Sequence, residues 1–273
     1  MGKFYVGEVL KHLSIIILVL LTLYPFFFLV NSSLKSHEEF THNFLGLPKY
    51  IRWVNYTAAW KAVSRYIYNS LIMSSSTVIM VVFLSSYVGY IFARYKFPGR
   101  EFLFYAIISL LMIPGALTLI PQFIIVKNLG LLNTRWACIL PWTSGGQIFA
   151  IFVMHSFMSS LPEELFEAAR VDGAGIFQIY TKIAIPLSYP TLITIAIMHF
   201  VGTWNDIIWP LVTITKPELR PVTVGIMAFN SAYYQNYGPL FAGYILASIP
   251  LIILFIFTMR YYIQGLLSGA IKM

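Results

Sequence analysis

Charged residues are scarce in this chain, and their scarcity limits the classes of protein it can belong to. Only 10% of its 273 residues are charged, whereas 59% are hydrophobic. Soluble domains usually carry about 25% charged residues. The chain therefore has too little polar surface for a water-soluble body of this length, and the composition predicts a protein that crosses a membrane several times.

Cysteine is almost absent, which excludes further classes of site. The single Cys138 can form neither an internal disulfide nor a metal site of several cysteines. It lies in an apolar stretch, where packing is its expected role. The net charge of +8 comes from sparse residues between apolar runs, so we expect contact with anionic lipid headgroups and no nucleic-acid partner.

Sequence motifs for catalysis and nucleotide binding are missing as well. No Gly-x-x-x-x-Gly-Lys-Ser/Thr pattern occurs, so this chain has no P-loop of its own for ATP. His37 and His42 stand five residues apart rather than four, which argues against a helical zinc-protease site. An aspartyl intramembrane protease needs two acidic residues within the membrane, and the apolar stretches supply only Asp206. We therefore assign no catalytic residues and no metal ligands.

Long apolar stretches are what the chain does contain. A helix needs about 20 apolar residues to cross a bilayer. Six stretches qualify and predict a single all-α transmembrane domain over residues 1–273, with spans at 13–31, 68–92, 102–126, 136–158, 189–214 and 239–262. The first stretch is too long for a signal peptide and no small-residue cleavage site follows it, so we expect a retained helix.

Six spans place both termini on one side, but charge counting does not say which side. The 18 Lys and Arg residues divide into nine on either side. A local cluster of Arg94, Lys96 and Arg100 in one short turn favours the cytoplasm for that turn.

The segment 159–190, between the fourth and fifth spans, is too long for a simple connection, since helix connections usually take 2–8 residues. Ser160 with Glu163 forms a predicted capping box, and the helix after it should end near Arg170 with a turn at Gly173 or Gly175. A second short helix should then end at Pro186. The first helix has a predicted apolar face of Leu161, Leu165, Ala168 and Ala169. It could dock into a groove on a partner protein, or it could lie on lipid as an interfacial or re-entrant helix.

The same segment carries a resemblance to a known family. Its run Glu167-Ala168-Ala169-Arg-Val-Asp172-Gly173-Ala174, followed by Ile-Pro186-Leu, resembles the EAA loop of ABC importer permeases. Other motifs resemble carbohydrate-uptake permeases, in particular the maltose-type MalG-like subunit; they are Ile113-Pro114, Ile120-Pro121, the run from Gly130 to Thr134, Trp204-Asn205-Asp206 and the tail from Tyr261 to Lys272.

The resemblance implies a type I ABC importer permease architecture in a bacterial inner membrane, with both termini in the cytoplasm. Its implied partners are a second homologous permease, two cytoplasmic ATPase subunits and an extracytoplasmic sugar-binding protein. ATP and Mg would be bound by the ATPase, so this chain would carry no cofactor. The 159–190 segment would be the coupling loop; its candidate residues are Glu163, Glu167, Ala168, Ala169, Asp172, Gly173 and Pro186. Among them, Glu167 would offer a charge and Asp172 would cap the second short helix.

Two further sets of residues are candidates for function. Ser144 and Gln147 are polar and mid-span, and with Trp204 and Asn205 they could line a sugar path; an interhelical hydrogen bond is an equally good interpretation of Gln147. The outer segment 216–238 is expected to be polar and flexible, with Asn230, Tyr233, Tyr234 and Gln235 as candidates for docking the binding protein. Residues 32–67 are a possible second outer contact or interfacial helix.

Other functions remain open at this point. An ion-coupled secondary transporter would need acidic residues near the middle of the membrane, and Asp206 is predicted to lie near the outer interface, where capping or anchoring is favoured. A membrane-embedded enzyme lacks a catalytic set. An ABC importer could also carry glycerol phosphate or a polyamine-like solute.

Overall fold

The computed structural model describes residues 2–232 and 236–270, with side chains over 7–230 and 236–259, and every regular element in these ranges is helical. The α-helices are α1 (Gly2–Ser33), α2 (His37–His42), α3 (Val54–Arg94), α4 (Arg100–Ser109), α5 (Gly115–Asn128), α6 (Trp136–Ser160), α7 (Glu164–Val171), α8 (Ile176–Ile179), α9 (Ile185–Asn205), α10 (Ile208–Thr213), α11 (Val222–Ala232) and α12 (Tyr237–Ala270). Short 3₁₀ turns cover Leu110–Met112 and Pro217–Leu219, and a π turn covers Tyr180–Ala184. The predicted all-α class is confirmed.

Several helices of the described chain are long and apolar enough to cross a bilayer. Five do so singly: Gly7–Ser33, Val54–Arg94, Trp136–Ser160, Ile176–Asn205 and Tyr237–Met259. A sixth span is present if the bent pair Arg100–Met112 and Gly115–Asn128 is counted as one. The protein is therefore a multi-pass membrane protein, and the predicted count of six holds on that condition.

The third predicted span, over 102–126, is divided into two helices at Pro114. The chain bends by 105° between these two helices, at Ile113 and Pro114. Ile113 has φ −83° and ψ 115°, an extended conformation. A residue before proline is pushed out of the helical region by the proline ring, so the helix stops here and α5 begins at Gly115.

The fifth span differs from its prediction at both ends. We expected a short helix ending at Pro186 and a span over 189–214, but α8, the π turn and α9 form one apolar helix from Ile176 to Asn205. In the π turn the Ile185 N–H donates to the Tyr180 carbonyl, five residues back. Pro186 lacks the N–H that an α-helix would pair with the Lys182 carbonyl, and the wider turn before it accommodates that loss.

The chain divides into two compact units. The first consists of Met1–Ser64 and Gly225–Ile249. In it the buried Lys35 ammonium donates to the carbonyls of Asn43 and Phe44, at 3.0 Å each. The Asn55 amide donates to the carbonyls of Ser33 (2.8 Å) and Lys35 (2.9 Å). These bonds satisfy the backbone around the ends of α1 and α2 and hold residues 33–55 together as an ordered segment.

The second unit consists of Arg65–Val224 and Pro250–Met273. Its main core joins α3, α6 and the helix 176–205; the buried residues are Val81, Tyr90, Ala150, Met154, Met158, Phe166, Ile179, Tyr180, Ala184, Leu192 and Ile195. Helices α3 and α6 approach closely at Gly89, where an added Cβ would lie only 2.6 Å from the Cβ of Met154. The segment 159–190 lies at one end of this core.

Candidate functional site: the α7 loop

Helix α7 follows α6 after a short connection, and its start differs from the prediction. Ser160 is the last residue of α6, and its hydroxyl donates to the Phe157 carbonyl at 2.8 Å. The predicted capping box of Ser160 and Glu163 is therefore wrong. The Glu163 carboxylate accepts hydrogen bonds from two arginines instead, Arg94 and Arg170.

Arg94, the last residue of α3, is the centre of this site. Its side chain is only 6% exposed and donates to the Met158 carbonyl, to the Leu161 carbonyl at 2.7 Å and to Glu163 Oε2 at 2.5 Å. Carbonyl groups at the C-terminal end of a helix have no partner within that helix. One guanidinium therefore satisfies carbonyls at the end of α6 and holds the carboxylate just before α7.

The Phe166 side chain also anchors α7, because it is buried in the core. It is 1% exposed, and its ring centroid lies 6.3 Å from that of Tyr90. The predicted apolar face is only partly correct: Leu161 and Ala169 pack against the core, whereas Leu165 is 44% exposed and Ala168 is exposed.

The outward side of α7 and its C-terminal cap carry three of the seven predicted coupling residues. Glu167, Ala168 and Asp172 are exposed, as is Val171 at 87%. Glu163 faces Arg94 and Arg170, so it holds the loop together. Pro186 is exposed on the first turn of α9, within a continuous helix.

The end of α7 is a Schellman motif, in which a left-handed residue lets the chain reverse. Gly173 has φ +80°; its N–H donates to the Arg170 carbonyl, and the Ala174 N–H donates to the Ala169 carbonyl, both at 3.0 Å. The turn predicted at Gly173 or Gly175 thus lies at Gly173. Asp172 occupies the C-terminal cap of α7, so its predicted capping of the next helix is wrong; Gly175 precedes α8 without a side-chain cap.

Charge fixes the protonation state of Glu163. Its hydrogen bond from Arg170, aided by Arg94, holds the pKa of the Glu163 carboxyl below its usual range despite some opposing desolvation. The carboxylate is therefore charged at neutral pH and keeps both ion pairs.

The four candidates for a substrate path have different environments. Ser144 and Asn205 are exposed, Gln147 is half-buried and Trp204 is 3% exposed. The Gln147 amide donates to the Met80 carbonyl at 3.3 Å, which is the interhelical hydrogen bond of the alternative interpretation. The Asn205 amide donates within its own helix, to the Val201 carbonyl at 2.9 Å.

Asp206 has a structural role in this fold. Its carboxylate accepts hydrogen bonds from the Trp142 indole at 2.7 Å and from the Trp209 N–H at 3.3 Å, and it ends α9. These contacts agree with the predicted capping or anchoring role. Within the described residues, no group of three His, Cys, Asp or Glu side chains could hold a metal ion.

The outer segment after α10 is held in place, contrary to the expected flexibility. Asn133, with φ +60°, accepts hydrogen bonds at its side-chain oxygen from the Thr215 N–H (2.7 Å), the Thr215 hydroxyl (2.9 Å) and the Lys216 N–H (3.0 Å). Asn69 donates to the carbonyls of Glu218 and Arg220. Helix α11 then runs from Val222 to Ala232, and Asn230 is exposed on it. The other docking candidates, Tyr233, Tyr234 and Gln235, lie outside the described residues.

Arg94 and Phe166 hold α7 in place, and sequence patterns did not reveal either contact. The sequence marks Arg94 only as one of three basic residues in a turn. Its partners Met158 and Glu163 lie 64 and 69 residues further along the chain, so no local spacing pattern connects them.

Comparison with known proteins identifies the family. Residues 82–268 match the family described as "Binding-protein-dependent transport system inner membrane component". The chain belongs to this family. The match includes the whole α7 loop and its anchor Arg94, so the site described above lies within the part that defines these inner membrane components.

Alignments with individual relatives of this inner membrane component cover nearly the whole chain. It is 32% identical over 271 residues to "Probable ABC transporter permease protein YurM" of Bacillus subtilis (strain 168), covering 99% of this chain and 90% of that protein. It is 32% identical to the "Arabinooligosaccharides transport system permease protein AraQ" of the same organism, covering 99% and 98%. It is 31% identical to the "Diacetylchitobiose uptake system permease protein NgcG" of Streptomyces coelicolor, covering 96% and 88%.

A solved structure has the same fold. The chain matches a protein from the crystal structure of a bacterial ABC transporter involved in the import of the acidic polysaccharide alginate, with a TM-score of 0.83 and 24% identity, covering 96% of this chain and 98% of that one. The predicted ABC importer permease architecture is thereby confirmed.

Proposed function

We propose that this protein is the transmembrane permease subunit of an ATP-driven, binding-protein-dependent ABC importer that carries a sugar or oligosaccharide into the cytoplasm. Membership of the transport family supports the mechanism. Relatives named for arabinooligosaccharides and diacetylchitobiose support a saccharide cargo.

The single observation that carries the proposal is the arrangement of α7. This helix is anchored at Glu163, Phe166 and Arg170, while Leu165, Glu167, Ala168 and Val171 point outward. A firmly held helix with small and apolar residues on its free side suits insertion into a groove of another protein. We assign that groove to a cytoplasmic ATPase and call α7 the coupling helix from here on.

This assignment fixes the other partners. Two ATPase subunits would bind ATP and Mg, since this sequence has no P-loop. A second homologous permease would complete the transmembrane path, and an extracytoplasmic sugar-binding protein would deliver the cargo, with Asn230 as a candidate for its docking. Six spans would then place both termini in the cytoplasm of a bacterial cell. Residues 7–27 of the first apolar helix are all exposed within this chain, so lipid or the second permease must cover them.

Ser144, Gln147, Trp204 and Asn205 stay our candidates for the sugar path. Asp206 does not offer the free carboxylate that ion-coupled transport requires, because Trp142 and Trp209 occupy it. The observations therefore favour ATP-driven import.

The first experiment is purification of the tagged chain from its native membrane in mild detergent, with mass spectrometry of the proteins that accompany it. We expect an ATPase and a second permease. Glu167→Lys should abolish recovery of the ATPase while the chain stays in the membrane, because it reverses a charge on the outward side of α7. Glu218→Lys, an exposed charge reversal on the outer segment, is the matched control and should keep the ATPase. Recovery of the wild-type chain without any ATPase would overturn the proposal.

A further inference from the structure

The contacts of Arg94 join three helices at one side chain. The residue ends α3, its guanidinium bonds carbonyls at and just after the end of α6, and it pairs with the carboxylate that precedes the coupling helix. Its carbon Cζ also lies 4.0 Å from the centroid of the Phe166 ring. Arg94 therefore connects α3 directly to the coupling helix, although 69 residues separate Arg94 from Glu163.

This connection reaches both ends of the coupling helix. Glu163 binds Arg94 through Oε2 and Arg170 through Oε1, and Arg170 lies seven residues further along. Phe166 fixes the middle of the helix against Tyr90 of α3. The Tyr90 hydroxyl also donates to the Ile176 carbonyl, at 3.5 Å, where the fifth span begins. These contacts leave the coupling helix little freedom to move without α3.

The geometry requires an arginine. Its planar group presents several N–H donors in a fixed fork and stacks on an aromatic ring at the same time, whereas a lysine ammonium is a compact charge that cannot do both. If Arg94 were replaced by an uncharged residue, two helix-end carbonyls would lose this donor, and the half-exposed Glu163 carboxylate would keep only Arg170.

We propose that Arg94 is the positioning residue through which a displacement of the coupling helix moves the second span, α3, in addition to its covalent neighbours α6 and α9. The inference rests on the proposed function, in which the ATPase displaces α7. Without Arg94, only the packing of Phe166 against Tyr90 would join the coupling helix to α3, so the displacement would move α3 less than it moves α6 and α9. ATP hydrolysis would then continue while the transmembrane path opened incompletely.

The test compares Arg94→Gln and Arg94→Lys with Lys96→Gln, an exposed basic residue two positions further on. Each permease is purified with its ATPase, second permease and binding protein, and is reconstituted in liposomes. The measured quantity is the number of sugar molecules transported per ATP hydrolysed. We expect this ratio to fall about tenfold or more in Arg94→Gln, because the ion pair with Glu163 and the bonds of the guanidinium to two carbonyls are lost together. The ratio should fall less in Arg94→Lys and stay unchanged in Lys96→Gln.

A spectroscopic distance separates positioning from simple loss of stability. Spin labels at Leu84→Cys on α3 and Glu164→Cys on the coupling helix, both exposed positions, are introduced with the buried native cysteine replaced by Cys138→Ala. The distance between the labels should stay constant through the ATP cycle in the otherwise wild-type complex. It should vary with nucleotide when Arg94 is Gln.

Each outcome has a defined meaning. An unchanged transport ratio and a constant label distance in Arg94→Gln would overturn the proposal while leaving the importer assignment intact, since the ATPase would still be bound. If Arg94→Gln does not assemble, Arg94→Lys and Glu163→Gln decide by the same two measurements, and wild-type values in both would overturn it. Failure of the wild-type chain to recover an ATPase would instead contradict the proposed function.

Discussion

Arg94 and Phe166 form a cation–π pair, with Cζ of the arginine 4.0 Å from the centroid of the buried ring. Such pairs contribute about 2 kcal/mol when they are shielded from water. Phe166→Ala removes both the pair and the buried ring, so we expect a loss of about 3–5 kcal/mol in the free energy of unfolding. Phe177→Ala, at a ring 65% exposed in the same loop, should cost much less. Equal losses in detergent-solubilised protein would contradict the burial of Phe166.

Gly173 and Gly175 provide a matched pair for testing the turn. A Cβ would meet no atom within 4 Å at either position, but Gly173 has φ +80° whereas Gly175 has φ −72°. A left-handed conformation costs an ordinary L-residue about 1–2 kcal/mol. Gly173→Ala should therefore lower the thermal unfolding midpoint and the recovered ATPase, and Gly175→Ala should change neither. A neutral Gly173→Ala would show that the turn is not needed in this form.

The pH dependence of Glu163 follows from its two arginine partners. Its pKa lies below the ordinary value of 4.5 because of hydrogen bonding first to Arg170 and then to Arg94. A lowered pKa in the folded state stabilises the fold fully above the ordinary value, and this contribution is lost as the pH falls through the folded pKa. Unfolding midpoints measured between pH 7 and pH 3 should therefore fall more steeply below about 4.5 in wild type than in Glu163→Gln.

If the unfolding midpoints of wild type and Glu163→Gln fell equally with pH, the Glu163 ion pairs would be excluded as a source of acid sensitivity. Arg170→Gln supplies an intermediate case, because it removes the first cause of the lowered pKa and leaves the Arg94 contact.

Asp206→Asn distinguishes ATP-driven from ion-coupled transport. An asparagine keeps one oxygen, which can accept from the Trp142 indole, and loses only the longer bond from the Trp209 N–H, so uptake should stay within about threefold of wild type. Asp206→Ala leaves the Trp142 donor without its partner and should lower the free energy of unfolding by about 1–3 kcal/mol. Abolished uptake in Asp206→Asn, with normal stability and normal ATPase recovery, would support an ion-coupling role instead.

Local sequence patterns predicted the loop best where local geometry decides the structure. The end of the coupling helix near Arg170 and the turn at Gly173 depend on glycine's access to positive φ, and both were predictable. The start of the helix was not, because Arg94 and Arg170 take the Glu163 carboxylate away from the backbone N–H it would otherwise cap. Arg94 itself is recognised only when α3, α6 and α7 come together.

Pro114 and Pro186 have opposite effects on their helices, and in both cases the residues just before the proline decide the effect. The helix pair is bent by 105° at Pro114, within the span predicted over 102–126, whereas Pro186 lies inside a continuous helix although a helix end was predicted there. The residue before Pro114 is extended, whereas a π turn precedes Pro186. A proline alone therefore does not decide whether a helix breaks. The conformation of the residues before it does.

The π turn over Tyr180–Ala184 also sets the rotational phase of the fifth span. Each residue advances an α-helix by about 100°, so one extra residue in a turn rotates everything after it by about that angle. Ile179 before this turn and Leu192 and Ile195 after it all lie in the same core. A helical wheel for 176–205 must therefore be drawn separately for the residues before and after the π turn. A one-residue deletion within 180–184 would rotate the rest of the span, so that a different side would face its neighbours.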